Sequence, residues 1–471
     1  MKRLPAIAAL TTPTALAAFA LALAASPLAA QDFAITNATV ATGDGSAPVE
    51  NATVIVRGGQ IVATGENVAV PGDVRVLDGS GTWVTPGIFS AVTTLGLWDV
   101  GAVSQSNDQA AGDAPFSAAL DVATALNPAS QHVAVSRAGG VTRASIFSRP
   151  ASSIFGGQGA VVDLGADPNM VMRPRAFQMI ALGEFGARLA GGSRTASHTL
   201  LRNSLIEARD FGGETGIDGR GGPSRRGAER TVSDDLGPDN RLQPNRTERG
   251  ADALLTRFDA AALVPVVRGE QPLYIVVERA SDIRQALALT REFPALDLVL
   301  VGASEGWLVA DEIAAAGVPV IADPLDDLPS SFEQLAATQS NVGRMAAAGV
   351  KVAIGGLTNG IEQPRNSTQY AGNLVALTRV PGASGLSWGE AFATISSVPA
   401  EIAGFGGRLG VLAPGAAGDV VIWDGDPLEL SSAPIRVFID GVEQPLVNHQ
   451  TRLRERYRDL DESDLPKAYD W

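Results

Sequence analysis

Catalysis in this chain would have to come from carboxylates. The 471 residues contain no cysteine and only three histidines, His132, His198 and His449. Thiolate nucleophiles, cysteine zinc sites and iron–sulfur clusters are therefore excluded. The histidines lie 66 and 251 residues apart, so no His-x-His or His-x-x-x-His pair can seat two imidazoles on one ion. No Gly-x-Ser-x-Gly stands in a context that would support a serine nucleophile. Gly156-Gly157-Gln158-Gly159 lacks the lysine of a phosphate loop and reads as a tight turn. The remaining candidates are Thr94, Glu184, Glu278 with Arg279, Glu305, and Thr358 with Asn359, accompanied by Arg149 and Asp323. Two of the glutamates converging on one pocket would make a general acid and base, enough for metal-free attack on an activated bond. The plainer reading is that Glu278 pairs with neighbouring charges and fills space.

The candidates follow strand-like runs, and the elements around them suggest how they are held. From Thr85-Pro86-Gly87 onward, apolar runs alternate with helical stretches. Strands are expected at Val141–Phe147, at Leu296–Val301, at Val318–Ala322 and at Lys351–Ile354. Helices are expected at Arg202–Arg209, at Ile283–Arg291 capped by Ser281-Asp282, at Asp311–Ala316, at Phe332–Ala348 and at Glu390–Ser397. That alternation implies a mainly parallel sheet, and some 300 residues suit one (β/α)8 barrel. Reacting groups would then sit at the C-terminal strand ends, the barrel mouth.

Before the barrel, Phe33–Val40, Ala52–Arg57, Gln60–Thr64 and Val74–Asp78 read as short strands, with a hairpin at Arg57-Gly58-Gly59-Gln60. Gly418–Trp423 and Pro434–Ile439 find partners only among these, so both chain ends build one small β domain. The boundaries expected are 31–85 and 401–446 for a small β-sandwich domain, 86–400 for the TIM-like barrel, and 447–471 for a charged tail. Residues 210–250 are polar and Gly-rich and read as a mobile insertion, with a lid as the alternative.

Residues 1–30 read as an address. Lys2 and Arg3 precede an eleven-residue apolar run, Ala15–Ala25, and small residues end at Ala30. The run is too short for a spanning helix, which needs about 20 residues. A cleaved signal peptide and a periplasmic or secreted protein without a stable membrane anchor follow. The formal net charge of −15 gives nucleic acid no electrostatic foothold.

Three stretches carry a family resemblance. Ile35–Val40, Val54–Ile61 and Val84-Thr85-Pro86-Gly87-Ile88 resemble the opening of the amidohydrolase superfamily. Arg408–Gly415 and Gly418–Pro427 are similar to its closing signature. Gly140-Val141-Thr142 is similar to a barrel-strand start in the imidazolonepropionase-like branch. The resemblance implies a TIM-like barrel with a β-sandwich domain from both ends, hydrolysis of non-peptide C–N bonds, and one or two divalent metals such as zinc. It implies metal ligands at positions where this chain has none. The His-x-His pair falls at Val92 and Thr94, and the carboxylated lysine near Ala187. One histidine falls on the strand ending at Glu278 and the next near Gly302. The last aspartate falls within 355–360, which holds no acidic residue.

The sequence thus points to an exported amidohydrolase-family chain that has lost its metal ligands. No cofactor is expected. It would act as a binding or partner subunit, its partner an intact amidohydrolase paralogue, or else bind a small molecule. The alternative is an active C–N hydrolase working from a metal-free carboxylate site at the mouth.

Overall fold

The computed structural model describes residues 30–215, 253–324, 326–355 and 362–458. The expected signal peptide, most of the expected 210–250 insertion, the end of the tail, Thr358 and Asn359 lie outside these residues.

Strands β1 (Phe33–Val40), β2 (Val49–Arg57), β3 (Gln60–Gly65), β4 (Arg75–Asp78) and β5 (Trp83–Pro86) open the chain. Then come β6 (Ile88–Thr93), β7 (Val141–Ile146), β8 (Phe155–Asp163), β9 (Val171–Ala181), β10 (Leu273–Val277), β11 (Leu298–Gly302), β12 (Val320–Ala322) and β13 (Val352–Ile354). The chain returns in β14 (Val420–Trp423), β15 (Pro434–Ile439) and β16 (Val442–Glu443).

The first sheet runs β16-β15-β14-β5-β1-β2-β3, with β4 beside β1. Its seam is β5, parallel to β1 and antiparallel to β14, so the two ends of the chain meet there. Alternating apolar residues build its core. Phe33 of β1 and Phe438 of β15 approach to 4.3 Å between ring centroids. The β2–β3 hairpin turns at Gly58 and Gly59, both at positive φ, where a residue without Cβ costs least.

The second sheet is the barrel, in the order β13 to β6. Seven strands are parallel, and β8 runs antiparallel to both neighbours. A β7–β8–β9 meander therefore replaces two helical crossovers. Gly156-Gly157-Gln158-Gly159 is part of β8, not a tight turn. The Phe177 ring lies where a side chain on Gly159 would stand, which accounts for that glycine. The interior is packed, with Phe89, Phe177, Met179, Tyr274, Val301 and Ile321 among its residues. The Phe177 and Tyr274 rings stack at 4.2 Å.

One buried ion pair locks barrel to small sheet. Arg143 of β7 donates to Asp419 through Nε at 2.6 Å and Nη2 at 2.8 Å, and lies 2.8 Å from Asp440. Burial alone would lower the guanidinium pKa, but the charges of Asp419 and Asp440 outweigh it and the net shift is upward.

Among the described residues no helix is long and apolar enough to cross a membrane.

Candidate functional site

The barrel mouth is organised by the segment between β12 and the helix Asn341–Ala347. The expected helix Phe332–Ala348 begins nine residues late because residues 332–340 are drawn across the mouth. Side chains and one backbone amide of this segment bond to residues that follow β9 and β11.

The first hold is at β11. Glu278, just after β10, turns its carboxylate over Gly302 and accepts from Ser304 N at 2.9 Å. Gly302 sits at φ +94, and a Cβ there would overlap that carboxylate. Ser304 Oγ lies 2.7 Å from Glu278 Oε2 and 2.8 Å from Asp326 Oδ2, and accepts from Gln334 Nε2 at 3.1 Å. One hydroxyl proton cannot serve two carboxylates. The arrangement balances when Glu278 is the carboxylic acid, donating to Ser304 Oγ while Ser304 donates to Asp326. Burial first, and then the charges of Asp326 and Glu333, push Glu278 up to about 8 against the hydrogen bonds from Ser304. Glu278 as a residue keeps a partly exposed edge, which tempers this shift without reversing it.

A second hold is at β9. Glu333 Oε2 accepts from Glu184 N at 2.6 Å and from Arg194 Nη2 at 3.0 Å. It occupies the place of a side chain on Gly183, at φ +66. Arg194 Nε also donates to Asp282 Oδ2 at 2.8 Å, and His198 Nε2 lies 3.9 Å from Asp282 Oδ1. Burial opposes ionisation of Asp282, but the nearby His198 ring and the hydrogen bond from Arg194 win and its pKa is lowered. Asp282 is therefore not the expected cap. The helix Ala280–Glu292 starts at Arg279 without a side-chain cap bond.

Glu305 makes the third hold. Its Oε2 accepts from Ala280 N at 3.0 Å and its Oε1 from Ala336 N at 3.2 Å. Both oxygens serve backbone donors.

Glu184, Glu278 and Glu305 thus do not form one acid/base pair. Each is tied to a different part of segment 326–336. Arg279 is exposed, and the Glu278 carboxylate pairs with Ser304 instead. Arg149 reaches Glu362 at 3.1 Å. Thr94 is fully buried, and its Oγ1 has no hydrogen-bond partner among the described residues. Sequence reasoning missed Arg194, Asp282, Ser304, Asp326, Glu333 and Gln334. The one available signal was Asp326, Asp327 and Pro329 ahead of a weakly periodic stretch.

The described residues at the mouth do not fit a catalytic divalent ion. Val92 offers no donor atom and is buried in the barrel interior, close to Ile321 and Gly355. Gly302 has no side chain and the Glu278 carboxylate fills its place. Among the described residues no group of three or more His, Cys, Asp or Glu side chains could hold a metal ion.

Residues 276–443 match the model of the amidohydrolase family. Over 60 residues the chain is 43% identical to amidohydrolase tasK of Hapsidospora irregularis, a match covering 13% of this chain and 6% of that relative's length. The crystal structure of an amidohydrolase from Thermotoga maritima superposes with a TM-score of 0.70 at 23% identity, covering 87% of this chain and 99% of that one. Molinate hydrolase gives a TM-score of 0.46 at 16% identity, covering 89% and 95%. The Thermotoga likeness shows the fold.

Proposed function

We propose that this chain, which belongs to the amidohydrolase family, is an exported binding or partner subunit that does not carry out the family's metal-dependent hydrolysis. One observation carries the reading: segment 326–336 of the chain itself occupies the mouth, with Glu278 and Glu333 seated on the bare backbone of Gly302 and Gly183. Lowering the pKa of water toward 7 needs an ion held by several imidazole or carboxylate ligands. Val92, Thr94 and Gly302 cannot supply them. The partner we favour is an intact relative of the same family. Export rests on the charged start, the apolar run and the small residues before Gln31. N-terminal sequencing of protein recovered from envelope or medium should begin near Gln31, and an intact Met1 would contradict export.

The test of the functional reading is metal content by elemental mass spectrometry, after incubation with zinc and manganese and then gel filtration. Metal far below one ion per chain is expected. Stoichiometric retention, with turnover of amides or dipeptides, would overturn the reading.

A second reading is favoured by Glu278 alone. A carboxylic acid held beside Ser304 is a proton donor, and it would serve a metal-free C–N hydrolase once the segment, Asp326 included, lifted away. Amide turnover abolished by Glu278→Gln in metal-free buffer would select it.

A further inference from the structure

We propose that segment 326–336 is a proton-operated strap. Its leading end, residues 326–332, stays seated on the barrel mouth while the Glu278–Ser304–Asp326 group holds a proton, and lifts when that proton leaves. This rests on the reading that the segment occupies the mouth, and it names what regulates that occupation.

The leading end is held through one hydroxyl. Ser304 Oγ lies 2.7 Å from Glu278 Oε2 and 2.8 Å from Asp326 Oδ2, and Gln334 Nε2 donates to it at 3.1 Å. The hydroxyl has a single proton to give. One protonated carboxyl completes the set: the acid donates to Oγ, and Oγ donates to the remaining carboxylate. With both carboxylates ionised, one of them faces the hydroxyl oxygen with no proton between. Glu278 cannot retreat, because its carboxylate fills the space over Gly302 and accepts from Ser304 N at 2.9 Å. Asp326 is the partner that moves. The other grip on the leading end is slight, an exposed bond of 3.3 Å from Gln339 N to Asp327 Oδ1.

The trailing end is held without a shared proton. Glu333 pairs with Arg194 as an anion and accepts from Glu184 N. Ala336 N donates to Glu305, and Trp307 Nε1 donates to Ala336 O at 2.9 Å. The strap therefore hinges near Glu333.

The surrounding charges favour the proton. Asp326 and Glu333 act on Glu278 from the segment, and Asp323, after β12, acts on Asp326. Glu305, whose own amide donates to the Glu278 backbone oxygen, is a further carboxylate nearby. Arg194 already serves Asp282 and Glu333, and Arg279 is exposed. Burial first, then the charges of Asp326 and Glu333, push Glu278 up to about 8. Burial and then Asp323 push Asp326 up as well, against its bond from Ser304. Lifting the leading end wets both groups and returns them toward their ordinary values, 4.5 for Glu278. Closing thus takes up a proton between pH 4.5 and about 8. The seated form is fully favoured below that window and loses at most about tenfold per pH unit as pH rises through it. The mouth around Glu278 and Ser304 is covered in acid and uncovered toward alkaline pH.

The experiment is limited proteolysis of the full mature chain from pH 6 to pH 8.5, with cuts mapped by mass spectrometry. A free peptide of residues 323–337 in the same tube corrects for protease activity at each pH. Cleavage of a pinned segment tracks its open population. Expected is a rise of about tenfold or more in corrected cutting within 326–332, with cuts elsewhere unchanged. In Asp326→Asn the rise should vanish, because the amide donates to Ser304 Oγ while Ser304 donates to the Glu278 carboxylate, and no added proton is needed. Glu278→Gln should also be flat with pH, and it serves where the first variant does not fold. A flat wild-type profile would overturn the proposal. So would an equal rise at cuts outside the segment, which would report general loosening, or a rise that survives in both variants. Metal retention reports separately on catalysis. A chain that holds zinc yet shows the variant-sensitive rise keeps the strap and loses the non-catalytic reading.

Discussion

Replacing Glu278 by glutamine should reverse sign with pH. A carboxyl whose folded pKa is raised binds its proton more tightly in the folded state. Its stabilising effect is therefore complete below pH 4.5 and is lost as pH rises through about 8. The slope inside that window approaches about 1.4 kcal/mol per pH unit. The full window would give on the order of 5 kcal/mol, and the partly exposed edge of Glu278 reduces this to about 2–3 kcal/mol. In Glu278→Gln the amide oxygen still accepts from Ser304 N and now also accepts from Ser304 Oγ, so Asp326 loses the Ser304 proton, at a cost of about 1 kcal/mol. The variant should thus be less stable than wild type near pH 5 and more stable by ~1–2 kcal/mol near pH 8.5. The assay is urea unfolding of both proteins across this range at constant ionic strength. Groups such as Asp163, which burial pushes up to about 6, titrate in both proteins and cancel in the difference. A wild-type-minus-variant difference that stays flat between pH 5 and 8.5 would refute a proton on Glu278.

Gly302→Ala adds a Cβ into the Glu278 carboxylate at a backbone φ of +94 and should cost about 2–4 kcal/mol by chemical denaturation. A loss below about 0.5 kcal/mol would mean that the carboxylate does not rest there. Arg143→Met leaves Asp419 buried without its guanidinium and should cost about 3–5 kcal/mol, again read by denaturation. A neutral effect would show that the small sheet is held by its apolar seam alone. Glu333→Gln breaks the ion pair with Arg194 and should raise the rate of limited proteolysis within 326–336 by about tenfold, while an unchanged rate would mean that this hold is not needed.

The fold was legible because its elements announce themselves locally. β-Branched alternation marked β1 to β3, glycine pairs marked the turns, and unbroken apolar runs marked β10 to β13. That both ends share a sheet followed from strands at 418–439 having no nearer partner. The mouth was legible only by position. Glu184, Glu278 and Glu305 were found at strand ends, yet their partners Arg194, Ser304 and Asp326 are chosen by tertiary approach, which leaves no periodic trace. Phe332–Ala348 has helical composition, but its first half gains more from bonding Glu184, Ser304 and Glu305 than from about two further helical turns, whose propensity is a weak bias. Gly156–Gly159 resembled a turn because glycine signals both turns and close approach. The Phe177 ring above Gly159 makes it the latter.

Hydrogen–deuterium exchange at the amides of Glu184, Ser304 and Ala336 is the most direct measurement of whether the chain seals its own mouth. The Glu184 and Ala336 amides donate to carboxylates that join the segment to the barrel, and the Ser304 amide donates to Glu278 beneath it. All three should exchange at least about a hundredfold more slowly than exposed loop amides, and Glu333→Gln should release Glu184 first. Exchange of Ala336 and Glu184 at the rate of an unstructured chain would contradict the seal, and the mouth would be open to substrate.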